Sequence, residues 1–230
     1  MFSGSTRTGH EAQAGPLILK IIGAAEGKIS HKELSRWVRD RDRELALEGD
    51  SSQLNFFLLD ILVAEFPDAR FVLTIRDAYS WLDSIINHIL NHPQTTPEWL
   101  RMRDFRFRPD IYKHAPAEHV LKDKGLHTVE GYLAYWAEHN GKTVAKVPSD
   151  RLLVVQTGQI RSRAKEIAAF AGLPPEAVDL EGAHSFKNPQ KFNIVRQLDR
   201  AFIEEKIAKH CRPLMTQFFP EIKSFDDARL

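Results

Sequence analysis

FPDARFVLTIRDAYSWLDSIINH, residues 66–88, decides the fold class of the whole chain. Pro67-Asp68 marks a turn. Phe71-Val72-Leu73-Thr74-Ile75 follows as an apolar run, rich in β-branched and aromatic residues and of strand length. The run stops at Arg76-Asp77, and beyond it Trp81, Leu82, Ile85, Ile86 and Ile89 recur at helical spacing. A buried strand therefore ends in an arginine and turns straight into a helix. In open α/β sheets ligands sit beyond the carboxyl ends of the strands, so Arg76 is placed to meet an anion. Ser84, eight positions on, carries a hydroxyl that can donate to the same group.

Outward from this unit the pattern alternates. Upstream, residues 17–25 are an apolar helical run introduced by Pro16 and ended by Gly27. Ser30 and Glu33 have the spacing of a capping box for the next helix. Leu45-Ala46-Leu47 is a short strand candidate closed by Gly49, and Asp50-Ser51-Ser52 caps an apolar helix over 54–66. Downstream, residues 93–125 are rich in Pro and Arg and weak in period, which suggests a lid of short helices. The spacing of Arg106 and Arg108 hints at an extended segment there, with the arginines mostly solvated. A helix over 127–140, a strand over 152–155, a helix over 159–171 stopped by Gly172, and a last helix over 193–210 complete the chain. Strands that alternate with helices predict an α/β fold, a parallel β-sheet flanked by helices, in one domain covering residues 1–230.

The totals set bounds. With 230 residues, 43% hydrophobic and 27% charged, the chain can bury one real core. A net charge of +1 gives no global field toward nucleic acid or an anionic membrane. One cysteine, Cys211, excludes an intrachain disulfide framework and a zinc–cysteine cluster. No apolar run reaches membrane-spanning length, and MFSGSTRTGHE lacks the apolar core of a signal peptide, so the expected compartment is cytoplasmic. His88 and His92 sit four apart on a helix without an evident third ligand, so no metal is expected. The tryptophans at 37, 81, 99 and 136 are expected in the core.

The strand–Arg76–helix–Ser84 unit resembles the sulfotransferase family. There an arginine at a strand end and a serine eight positions on hold the 3′-phosphate of the sulfuryl donor, 3′-phosphoadenosine 5′-phosphosulfate. This chain has Ala78 where the family usually has proline. The resemblance extends from about residue 45 to 219 through Tyr135-Trp136, the strand at 152–155 and the stop Phe170-Ala171-Gly172. It implies a P-loop NTPase-like three-layer sandwich. A basic loop that closes over the donor corresponds to SFKNPQK, which offers Lys187 and Lys191.

The N-terminus admits two alignments. In the first, Gly4-Ser5-Thr6-Arg7-Thr8-Gly9 is the loop that cradles the donor's 5′-phosphate, with Arg7, Thr8 and Gly9 as ligands. Gly9 is followed by His10 rather than Thr, and only three residues precede Gly4. In the second, Gly9-His10-Glu11-Ala12 is the later segment that carries the general base, and the first strand and phosphate loop are lacking. The second is preferred, because a phosphate loop needs a strand to hold it.

The resemblance implies transfer of a sulfuryl group to the hydroxyl of a small-molecule acceptor, with Glu11 as first and His10 as second base candidate, and with no metal, nucleic acid or membrane span. The alternative is a catalytically inactive, sulfotransferase-like nucleotide-binding or interaction protein.

Overall fold

A computed structural model describes residues 7–173, 189–228 and 230. Contacts divide the chain into two units, with the division falling between Thr74 and Ile75 and between Gly141 and Lys142.

In the first unit, β1 (Thr8–His10) pairs in parallel with β2 (Gly49–Ser51), Thr8 opposite Gly49 and His10 opposite Ser51. Between them run α1 (Ala14–Ala25) and α2 (His31–Leu45), which pack on each other. Leu17, Ile18, Ile21 and Ile22 form the buried stripe of α1. The expected capping box opens α2: Ser30 Oγ accepts from Glu33 N–H, and the Glu33 carboxylate accepts from Ser30 N–H at 2.8 Å. The strand expected at 45–47 forms further on. Helical spacing persists to Leu45, Ala46 ends α2 in the left-handed region at φ 45°, and Gly49 opens the strand instead of closing the preceding one.

The helix expected over 54–66 forms as a 3-10 turn, Gln53–Leu58, followed by α3 (Leu59–Glu65), with Ser52 Oγ accepting from Leu54 N–H at 3.1 Å. The predicted strands β3 (Phe71–Ile75) and β4 (Leu152–Gln156) pair with each other. Arg151 ties them together from the start of β4. Its guanidinium donates to the carbonyls of Phe66 at 2.7 Å, Ala69 at 2.9 Å and Val63 at 3.3 Å, all just before β3. Helix α8 (Ala164–Ala171) ends at Gly172, whose φ of 72° suits a residue without a Cβ.

The fold is thus mixed α/β, but the described residues form two two-stranded sheets rather than one. The strands are short, and local turns end them. Glu11, at φ 51°, deflects the chain after β1, and the 3-10 turn follows β2 almost at once.

In the second unit, α4 (Ala78–Asn91), α5 (Pro97–Phe107), α6 (His119–Asp123), α7 (Val129–Lys146), α9 (Arg200–His210) and α10 (Arg212–Phe218) supply the helices; α7 runs on past the division. Trp136, Tyr79, Tyr132 and Phe107 are its largest fully buried side chains among the described residues. The segment 93–125 is helical as expected, but Arg106 and Arg108 are not extended: one is in α5 and the other caps it. Nor is Arg106 solvated. It is buried beside Met102 on the inner face of α5, its guanidinium over the rings of Phe107 and Tyr135 at 5.1 and 5.7 Å. Gly131 allows α7 to approach α5, since a Cβ there would overlap the Phe107 carbonyl oxygen. Of the four tryptophans only Trp136 is buried.

Glu130 on α7 gathers cations from α9. Lys209 donates to it, His210 lies at 3.0 Å and Lys206 at 3.3 Å. Burial alone would raise this carboxyl, but the hydrogen bonds from Lys209, His210 and Lys206 outweigh it and hold the group at about 2. A carboxyl lowered on folding stabilises above its unfolded value and loses that contribution as pH falls toward the folded one. Glu130→Gln is therefore expected to cost about 2 kcal/mol at neutral pH. The difference from the parent protein in urea unfolding should shrink below about pH 4.5 and vanish near pH 2. A constant difference across that range would remove the ionised carboxylate from the explanation.

No helix among the described residues is long and apolar enough to cross a membrane.

Candidate functional site

Arg76 leaves the end of β3 half-buried, and no hydrogen bond or ion pair of its guanidinium occurs among the described residues. The backbone around it is fixed. Its carbonyl accepts from the indole N–H of Trp136 at 3.1 Å. Asp77, 8% exposed, is the N-cap of α4, with Oδ1 accepting from Ser80 N–H at 2.9 Å. Ala78 explains a departure from the usual motif. Its N–H, which proline would lack, meets Met215 Sδ at 3.2 Å. A side-chain cap and a buried first turn thus fix the main chain on either side of Arg76 at the head of α4.

Ser84 is half-buried two turns along the same helix, about 10 Å from the cap along the axis. It belongs to a polar stripe, Ser80, Ser84, Asn87 and Asn91, at helical spacing. Sequence inspection alone missed the function of the last two. Asn91 Nδ2 donates to the Gln190 carbonyl at 2.8 Å, and Asn87 Oδ1 accepts from Phe192 N–H at 2.8 Å. Lys191, exposed, is bracketed by these two bonds on the helix that carries Ser84. Lys187 lies outside the described residues.

Of the first alignment's loop, Arg7, Thr8 and Gly9 are described. Thr8 and Gly9 lie in β1, Arg7 N–H donates to Glu48 Oε2 at 2.8 Å, and the Arg7 carbonyl accepts from Glu48 N–H at 2.8 Å. A Cβ at Gly9 would stand 2.7 Å from Leu47 Cδ1, so the leucine tip would have to shift. Residues 4–6 of the first N-terminal alignment lie outside the described residues.

Glu11 sits half-buried just beyond β1, its carboxylate accepting from Ser52 Oγ at 2.7 Å and Gln53 N–H at 3.2 Å. A carboxylate has about four acceptor positions, so capacity remains for a further proton donor. His10 is exposed at the end of the strand.

His88 and His92 face each other with ring centroids 5.0 Å apart, and burial, then the neighbouring His92 and Arg106, makes His88 less basic than usual. No group of three or more metal-ligating side chains assembles among the described residues.

A family model described as a sulfotransferase domain matches residues 26–174. That range contains Arg76 and Ser84; Glu11 precedes it and Lys191 follows it. No curated protein matches the chain significantly.

Proposed function

The chain belongs to the sulfotransferase domain family, and from that premise we propose that it moves a sulfuryl group from 3′-phosphoadenosine 5′-phosphosulfate to a hydroxyl of a small-molecule acceptor. The observation that carries this is Arg76: a half-buried guanidinium with no protein partner among the described residues, at a strand end, at the head of the helix that bears Ser84. Arg76 and Ser84 grip the donor's 3′-phosphate, with Lys191 as an additional cation. The P-loop-like three-layer arrangement implied by the family belongs to the same proposal.

The acceptor oxygen attacks sulfur in line with the leaving phosphate oxygen. A new S–O bond forms, the old one breaks, and its electron pair departs with adenosine 3′,5′-bisphosphate. The acceptor proton passes to a carboxylate or imidazole, for which Glu11 is the first candidate and His10 the second. Positive charge near the departing bisphosphate stabilises the negative charge that builds there.

A second function is favoured by β1. Because Thr8 and Gly9 are strand residues and Arg7 N–H donates to Glu48, the described residues supply no glycine-rich cradle for the 5′-phosphate. A protein that binds the nucleotide without transferring from it fits that observation. One experiment separates the two. The protein is incubated with sulfur-labelled donor and a panel of phenols, alcohols and sugars. Labelled product that disappears in Glu11→Gln supports the enzyme. Tight binding of adenosine 3′,5′-bisphosphate with no transfer to any acceptor supports the binder. Absence of both binding and transfer overturns both.

A further inference from the structure

We propose that Asn87 and Asn91 are positioning residues that hold Lys191 against α4, so that the site demands a 3′-phosphate on its nucleotide. This rests on the donor-binding function proposed for Arg76 and Ser84.

Three observations converge. Ser80, Ser84, Asn87 and Asn91 share one face of α4, so whatever the two asparagines hold lies along the line that Ser84 begins. The bonds are made to main chain on both sides of Lys191: Asn91 Nδ2 to the Gln190 carbonyl and Phe192 N–H to Asn87 Oδ1, each 2.8 Å. Two such bonds fix the backbone of the intervening residue while leaving its side chain exposed. Finally, Asn87 is only 2% exposed and uses both ends of its amide, since Nδ2 also donates to the Asp83 carbonyl at 2.7 Å. A buried amide satisfied at both ends has one orientation. Asn91 Nδ2 also donates to the Asn87 carbonyl at 2.8 Å.

A lysine on an unrestrained loop loses much of its attraction for a phosphate to chain entropy. One held by its neighbours loses less. The cation that contributes is Lys191. The asparagines touch no ligand and act through it.

The test compares two nucleotides that differ only in the 3′-phosphate, adenosine 3′,5′-bisphosphate and adenosine 5′-monophosphate, by titration calorimetry. Asn87→Ala is expected to weaken the bisphosphate about tenfold and leave the monophosphate nearly unchanged. Lys191→Ala should do the same, and the double variant should lose no more than either alone, because both remove one interaction. Hydrogen exchange at the Phe192 amide should quicken in Asn87→Ala. If burial of Asn87 makes its alanine variant unstable, Asn91→Ala, at a half-buried position, and Lys191→Ala carry the same comparison. Equal losses for both nucleotides, or losses that add in the double variant, overturn the clamp. A parent protein that does not distinguish the two nucleotides overturns the donor site itself. Discrimination undiminished in Asn87→Ala and Asn91→Ala overturns only the clamp.

Discussion

Alanine in place of Arg76 is expected to weaken adenosine 3′,5′-bisphosphate binding by about 10- to 100-fold, the loss that follows when charge-assisted hydrogen bonds to a phosphate are removed. Stability should hardly change. The guanidinium makes no hydrogen bond or ion pair among the described residues, and what fixes this corner is main chain: the Arg76 carbonyl to Trp136 and the Asp77 cap on α4. Arg76→Lys restores charge but not the planar fork, so its affinity should fall between the two. Adenosine 5′-monophosphate should bind the parent and Arg76→Ala alike. Calorimetry with both ligands, beside melting curves of both proteins, decides the matter. A matched loss for the two nucleotides would detach Arg76 from the 3′-phosphate, and a melting temperature lowered by many degrees would make it a structural arginine.

What could be seen in the sequence was what is local. The run 71–75, the amphipathic helix after it and the Ser30–Glu33 box each need only neighbours a few residues away, and each formed. Errors arose where distant contacts or unusual dihedrals took over. Glu11, Gln13 and Ala46 all adopt positive φ without being glycine. Each costs on the order of 1 kcal/mol locally and is held by the surrounding structure, so no propensity scale announces it. Ala46 moved the second strand from 45–47 to Gly49–Ser51, and Thr8 and Gly9 pair with that strand. Arg106 looked solvated because arginines usually are; aromatic faces on α5 and α7 take it inside.

The candidate site divides along the same line. Arg76 and Ser84 are legible because one strand and one helix position both. The partners of Asn91 and Asn87 are 99 and 105 residues away, and a polar stripe on a helix does not say what it will hold.

Trp136→Ala is expected to destabilise the protein by about 3–5 kcal/mol, through lost burial and the cavity left behind. The side chain is 1% exposed, among the largest fully buried in the chain. For a chain of this size the change corresponds to a melting temperature lower by about 10 °C. Trp136→Phe separates packing from the hydrogen bond. Most of the apolar volume remains, but the indole N–H is gone and the Arg76 carbonyl loses its partner. An unsatisfied carbonyl costs about 1–3 kcal/mol. Because that carbonyl belongs to the arginine proposed to hold the 3′-phosphate, bisphosphate affinity should fall together with stability in Trp136→Phe, although the ring lies outside the proposed contacts. If stability drops and affinity does not, the indole is core and nothing more. If both drop, the helix α7 that buries the tryptophan also sets the position from which Arg76 reaches its phosphate.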